Sequence, residues 1–174
     1  MPLTRRQALR QFLFVSAGVA LIPSCMEDRT KSSILLKHLR LSADQEKLLA
    51  ELSETIIPKT ATPGAKDISA HLFALKMIDE CRSGEDQEKF LEGLRTFETG
   101  AGKGFAAMSQ AERAKVLEPF EKDKEAKDPA SGLYRTMKRL TIQAYTSSEY
   151  FLTKVQVYEL VPGRYHGCVP VKAS

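Results

Sequence analysis

Apolar residues recur along most of the chain at three- and four-residue spacing, the period that gathers them on one face of an α-helix. Ser42, followed by Gln45, forms a capping-box start. Leu48, Leu49, Leu52 and Ile56 then repeat until Pro58 stops the run, predicting a first helix over 43–57. TATPGAKD at 60–67 is a turn segment, in which Pro63 presets φ and Gly64 permits positive φ. Asp67 stands where it can cap a second helix carrying Ile68, Leu72, Leu75 and Ile78 and ending near Cys81. A third helix over 85–98 presents Phe90, Leu91, Leu94 and Phe97, and GAGKG at 100–104 breaks it. Ser109 and Glu112 form another capping box, and Ala114, Leu117 and Phe120 are the residues the following helix is expected to bury. EKDKEAK at 121–127 reads as solvated charge. Asp128-Pro129, a cap with proline in the first helical position, opens a fifth helix over 129–146 presenting Leu133, Met137, Leu140, Thr141 and Ala144. The expected fold is all-α: one bundle-like domain of five or six helices over 41–174.

Both ends depart from this pattern. From Glu149 to Tyr158 the chain is aromatic and β-branched, fitting a short sixth helix or an extended piece. VPGRYHGCVPV at 161–171 holds two prolines and two glycines and cannot be regular helix. Residues 149–174 therefore read as an extended C-terminal arm. Its apolar residues need a surface to cover, on this chain's own bundle or on another protein. At the other end, Arg5, Arg6 and Arg10 precede an apolar run of 11 residues, Phe12 to Ile22. A permanent helical span takes about 20 apolar residues, so this run fits a cleaved export signal. T-R-R-x-x-L-R matches the twin-arginine pattern apart from Ala8, which stands where a phenylalanine is frequent. An ordinary secretory signal with two adjacent arginines is the competing reading. Ile22-Pro23-Ser24-Cys25 resembles a lipoprotein cleavage box, in which Cys25 would carry acyl chains and tether the mature chain to a membrane. The alternative is an unmodified cysteine at the end of the signal. Residues 26–40 read as a tether.

Removing the signal changes the charge. The whole chain carries +4, but three of its 26 basic residues and none of its 22 acidic ones lie in 1–25. What remains is near neutral, with no basic stripe interleaved with aromatics, so nucleic acid is not an expected partner. The remaining length suits one domain. Hydrophobic residues make up 43% and tryptophan is absent, so the core should be mostly aliphatic. Outside the cytoplasm Cys81 and Cys168 would tend to oxidise, with each other or with Cys168 bridging to another chain.

Chemistry of its own is hard to find in the chain. GAGKG fails as a phosphate loop, because Phe97 and Gly104 occupy the places of the first glycine and the Ser/Thr. No C-x-x-C-H haem site exists, and His38, His71 and His166 lack zinc spacing. His71 reads as a boundary residue with a hydrogen bond. Asp79 and Glu80 are adjacent and so point about 100° apart on a helix. No catalytic, cofactor-binding or metal-binding residue is expected. A signal suited to folded, cofactor-loaded cargo on a chain without a cofactor site suggests that the cargo is a partner.

ETIIPKTATPGAKD (54–67), GLYRTMKRLTIQAYTSSEY (132–150) and VPGRYHGCVPV (161–171) together resemble the gluconate 2-dehydrogenase subunit 3 family. These are small subunits of membrane-associated flavin-dependent dehydrogenases, and the resemblance covers about 40–171. It implies a non-catalytic subunit that supports folding or export of a large FAD-containing oxidoreductase of the glucose-methanol-choline type. A cytochrome c subunit carrying haem often accompanies that pair. A signal with paired arginines is usual there, whereas the lipoprotein box is not a general feature. The resemblance marks Pro58, Pro63 and Gly64 in the first turn, and Pro162, Gly163, Tyr165, Gly167 and Cys168 in the arm, and assigns none of them chemistry. With Tyr150 and Phe151 at the start of the arm, these are the candidate partner contacts. Arg5 and Arg6 would engage the twin-arginine translocase, and the mature protein would sit on the periplasmic side of the envelope, held by lipid on Cys25. The competing function is a stand-alone envelope lipoprotein, acting as a scaffold or a small-ligand-binding helical module.

Overall fold

The computed structural model describes residues 32–123, 125–156 and 163. Among them are five α-helices, a one-turn 3-10 helix and a short π-turn, with no strand. Helix α1 runs Ala43–Ile56 behind the Ser42/Gln45 capping box, both of whose hydrogen bonds form. It stops at Ile57, since the residue before a proline is pushed out of helical conformation. Helix α2 spans Ala70–Cys81, α3 Gly84–Thr99, α4 Gln110–Lys122 and α5 Pro129–Thr146. Asp128 caps α5 by accepting from the Ser131 backbone N–H at 3.0 Å, with Pro129 at the first turn.

Helix α5 is the central element and packs most extensively on α3 and α2. Leu133, Met137 and Leu140 of α5 meet Leu75, Leu94 and Phe97 in the core, each at most 1% exposed. Each such side chain stabilises the fold by about 1.5–3 kcal/mol through its burial. Gly93 lets α3 cross the start of α5 closely: a Cβ there would stand 2.5 Å from the Pro129 carbonyl oxygen. Deep between α1 and α5, the Thr141 and Ser53 hydroxyls, both fully buried, lie 3.2 Å apart in a hydrogen bond.

Several expectations are corrected. Asp67 does not cap α2. Its carboxylate accepts from the Gly64 N–H at 3.0 Å and from Lys59 Nζ at 3.1 Å, closing the preceding loop on itself. Helix α2 instead starts after Ser69, which holds a left-handed conformation (φ 55°) and gives no side-chain cap. Leu72 is only half-buried, and Ala70 and Ala74 take the core-facing places. Ala114 is exposed and Leu117 is the one buried residue of α4. The GAGKG break is packed rather than loose. Gly102 lies so close to Phe97 that a Cβ would come within 2.3 Å of the ring, and Gly104 turns the chain at φ 73°. This delivers Phe105, on the 3-10 turn Phe105–Ala107, into the core edge-on to Phe97 at 5.4 Å between centroids.

The stretch read as a tether is, in its described part, a strap laid along the bundle. Leu39 is 2% exposed, while Ile34 and Leu36 pack against the core. Asp79 of α2 pins the strap, accepting the backbone N–H groups of Lys37, His38 and Leu39 at 2.7, 2.8 and 2.8 Å.

Candidate interaction site

Residues 57–69 form a loop whose shape is set by two carboxylates. Glu54, at the end of α1, accepts the backbone N–H of Lys59 at 2.9 Å and of Lys66 at 2.8 Å. Asp67 takes Gly64 and Lys59 as described, and the donated bonds hold its carboxyl below the ordinary range, the Gly64 N–H contributing most. Gly64 sits inside this cage. A Cβ would stand 2.5 and 2.6 Å from the two Glu54 carboxylate oxygens and 2.7 Å from the Lys59 nitrogen, so a glycine is required sterically. Ala65, fully buried, then donates to the Ile57 carbonyl at 2.9 Å.

This loop meets the start of the arm. Tyr145, near the end of α5, donates its hydroxyl to the Pro63 carbonyl at 3.0 Å. Its ring lies 6.4 Å from Tyr150 and 6.2 Å from Phe151, both edge-on. Phe151 opens the π-turn Phe151–Val155. The structure therefore brings Pro63, Gly64, Tyr150 and Phe151 onto one side of the molecule through Tyr145, a residue the sequence reading left out. Its signal was available in the quoted stretch 132–150, where it falls one residue beyond the buried Ala144. Pro58 is exposed at the edge of the same loop, and Gly163 is exposed. Arg5, Arg6, Cys25, Pro162, Tyr165 and Cys168 lie outside the described residues. Cys81 is exposed and unpaired among the described residues, and its pairing with Cys168 falls outside them.

Two further polar groups were not foreseen. Glu51, almost buried on α1, takes Lys66 at 2.7 Å and Arg113 of α4 as ion-pair partners. Arg113 is itself mostly buried, its Nε has no partner among the described residues, and burial lowers its pKa. On the far side of α5, Tyr134 donates to Glu121, which also takes Lys138 at 2.5 and 2.6 Å. Burial, then the bond to Glu121, raises the Tyr134 pKa. His71 is the half-buried boundary residue expected, but its buried Nδ1 finds no hydrogen-bond partner among the described residues, and desolvation lowers its pKa. No group of three or more His, Cys, Asp or Glu among the described residues is arranged to hold a metal ion. No helix among them is long and apolar enough to cross a membrane.

Fold and surface together define the class: a small all-α domain whose carboxylates fix its own strap and loop. The chain belongs to the gluconate 2-dehydrogenase subunit 3 family, whose model, described as Gluconate 2-dehydrogenase subunit 3, matches residues 43–163. No curated protein and no solved structure matches the chain. Family membership makes this an accessory type of subunit, of a kind that associates with a larger dehydrogenase subunit.

Proposed function

We propose that this chain is the non-catalytic small subunit that binds a large FAD-dependent dehydrogenase of the glucose-methanol-choline type, supports its maturation and escorts it through twin-arginine export. The observation that carries this reading is the combination in one chain of the family match over 43–163 with paired arginines, Arg5 and Arg6, ahead of a short apolar run. The twin-arginine route transports folded proteins, so a flavoprotein already loaded with FAD can travel bound to this subunit. The large subunit would hold the FAD, and a cytochrome c subunit would carry electrons onward. Cys25 would then anchor the complex by lipid on the periplasmic side of the envelope, and the strap would join that anchor to the domain.

The test is to express the chain with a C-terminal affinity tag together with a large FAD-dependent dehydrogenase chain from the same organism. Co-purification of that chain with flavin absorbance is expected. Arg5→Lys with Arg6→Lys should hold both chains in the cytoplasm, and Cys25→Ala should release the complex from the membrane fraction. Recovery of the tagged chain alone, as an exported monomer, would instead support the stand-alone lipoprotein.

A further inference from the structure

A cleft of about 720 Å³ opens between the end of α2, the first half of α3 and the first half of α5. Its floor is apolar, made by Ile78, Phe90 and Leu133, which are at most 5% exposed. Its walls are rich in cations. Arg82 stands at the end of α2, Lys127 ahead of α5 and Arg139 on α5, and none of the three makes an ion pair among the described residues. Two of the acids here, Asp86 and Glu92, lie on the α3 rim. The third, Asp128, is committed to capping α5 through Ser131.

Gly132 is the telling residue. It lies in the first turns of α5 and lines this cleft. Glycine is the poorest helix former after proline, so a helical glycine calls for a reason. At Gly93 the reason is packing inside the fold, but a Cβ at Gly132 would meet nothing within 4 Å. The described residues therefore do not require a glycine there, and the bare α5 backbone leaves room along this side of the cleft. Gly132, Thr136 and Arg139 follow one another at i, i+4 and i+7, forming a single wall about 10 Å long. That is the length of three or four extended residues.

We propose that this cleft receives an extended acidic segment of the larger dehydrogenase subunit, its backbone lying against Gly132, its apolar side chain on the floor and its carboxylates beside Arg82, Lys127 and Arg139. This rests on the subunit reading above and adds the face used and the chemistry of what it binds. The cations are spread along the walls rather than converging on one point, which suits a peptide better than a single small anion. The concave shape and the acidic α3 rim disfavour an anionic membrane surface.

The test measures binding of the full tagged chain to the purified flavoprotein subunit at low and moderate salt. Gly132→Leu should weaken binding by about tenfold or more while leaving the unfolding midpoint unchanged or raised. Arg82→Glu with Arg139→Glu, both on exposed side chains, should weaken it comparably and flatten its salt dependence. A benzoylphenylalanine at Thr136 should cross-link to an acid-rich stretch of the flavoprotein. Wild-type binding that neither variant disturbs would overturn the cleft and leave the subunit reading standing. Failure of the wild-type chain to bind would remove both. Cross-linking to this chain's own Glu27–Asp28 region, or binding to phosphatidylglycerol vesicles that the same variants abolish, would also overturn the proposal.

Discussion

Replacing Asp79 with alanine removes the residue that fastens the strap to α2. Its carboxylate accepts three backbone N–H groups at 2.7–2.8 Å and is itself 3% exposed. The three donors do not fare alike once it is gone. Lys37 and His38 are exposed and their amides can turn to water, but Leu39 is 2% exposed and its amide would stay buried without a partner. An unsatisfied buried donor costs about 1–3 kcal/mol, and each lost bond to a charged acceptor about 1.5–3 kcal/mol before water offsets part of it. The expected loss is about 3–4 kcal/mol, a large share of the 5–15 kcal/mol typical of a domain. If the strap lifts, the burial of Leu39 is lost as well.

The pH dependence separates this cause from a generic packing defect. Burial alone would raise the Asp79 pKa, but the donors from Leu39, Lys37 and His38 outweigh it and hold it below its ordinary 3.8. A depressed carboxyl contributes its full stabilisation above the unfolded value and loses it as pH falls through the folded one. The difference between wild type and Asp79→Ala, measured by urea unfolding, should be complete at neutral pH and shrink below 3.8. Asp79→Asn keeps one acceptor oxygen but turns an N–H₂ toward donors, so it should fall between the two without that pH dependence. Limited trypsin digestion should reveal cleavage after Lys37 in the alanine variant under native conditions. A stability difference below about 0.5 kcal/mol, or an equal difference in acid and at neutrality, would refute the clamp.

Five other outcomes follow from the same structure. Gly64→Ala should destabilise by about 1–3 kcal/mol in denaturant titration, because the new methyl meets the Lys59 backbone as well as the movable Glu54 carboxylate. Gly93→Ala should lower stability through its clash with the Pro129 carbonyl, whereas Gly132→Ala should raise it by about 0.5–1 kcal/mol, the ordinary helix-propensity gain. Arg113→Ala should cost about 1–3 kcal/mol, since it removes one partner of the nearly buried Glu51 while Lys66 still pairs with it. Desolvation lowers the His71 pKa from 6.5, so wild-type stability should decline as pH falls below 6.5 toward the folded value, and His71→Leu should abolish that decline.

The helices were legible because their signals are local. Ser42 with Gln45, Ser109 with Glu112 and Asp128 before Pro129 all cap as their spacing implies, and the apolar face of α5 is buried at each of its five expected positions. What the sequence hid depends on distant partners. Asp67 has the right residue type and place for a cap, but the loop supplies it with Gly64 and Lys59 first. The strap reads as a tether because its polar residues dominate locally, and the carboxylate that fixes it comes 40 and more residues later. A glycine-rich break does not announce that it carries Phe105 into the core. Nor does the spacing of α5 reveal which of its faces, at Gly132, no element among the described residues covers.

The turn residues that the resemblance marks and the cleft residues that carry the proposed binding differ in energetics, although Gly132, Thr136 and Arg139 also fall within the resembling stretch 132–150. In the turn, Gly64 is demanded by the Glu54 cage, the Pro63 carbonyl is taken by Tyr145, and the Tyr150 and Phe151 rings pack on Tyr145. The Gly64 N–H, the Pro63 carbonyl and the Tyr145 hydroxyl are satisfied within the chain, so a partner there gains mainly by covering rings. Around Gly132 the balance reverses: Arg82, Lys127 and Arg139, which make no ion pair among the described residues, stand over an apolar floor, beside a helical glycine that the described residues do not require. Complementary charge there would speed encounter and select the partner, while the floor would supply area burial. Tyr145→Phe, which deletes only the bond to Pro63, should therefore weaken binding of the flavoprotein less than Gly132→Leu does, although it costs more stability, about 0.5–1.5 kcal/mol. Should the order in binding be reversed, the turn and not the cleft is the principal contact.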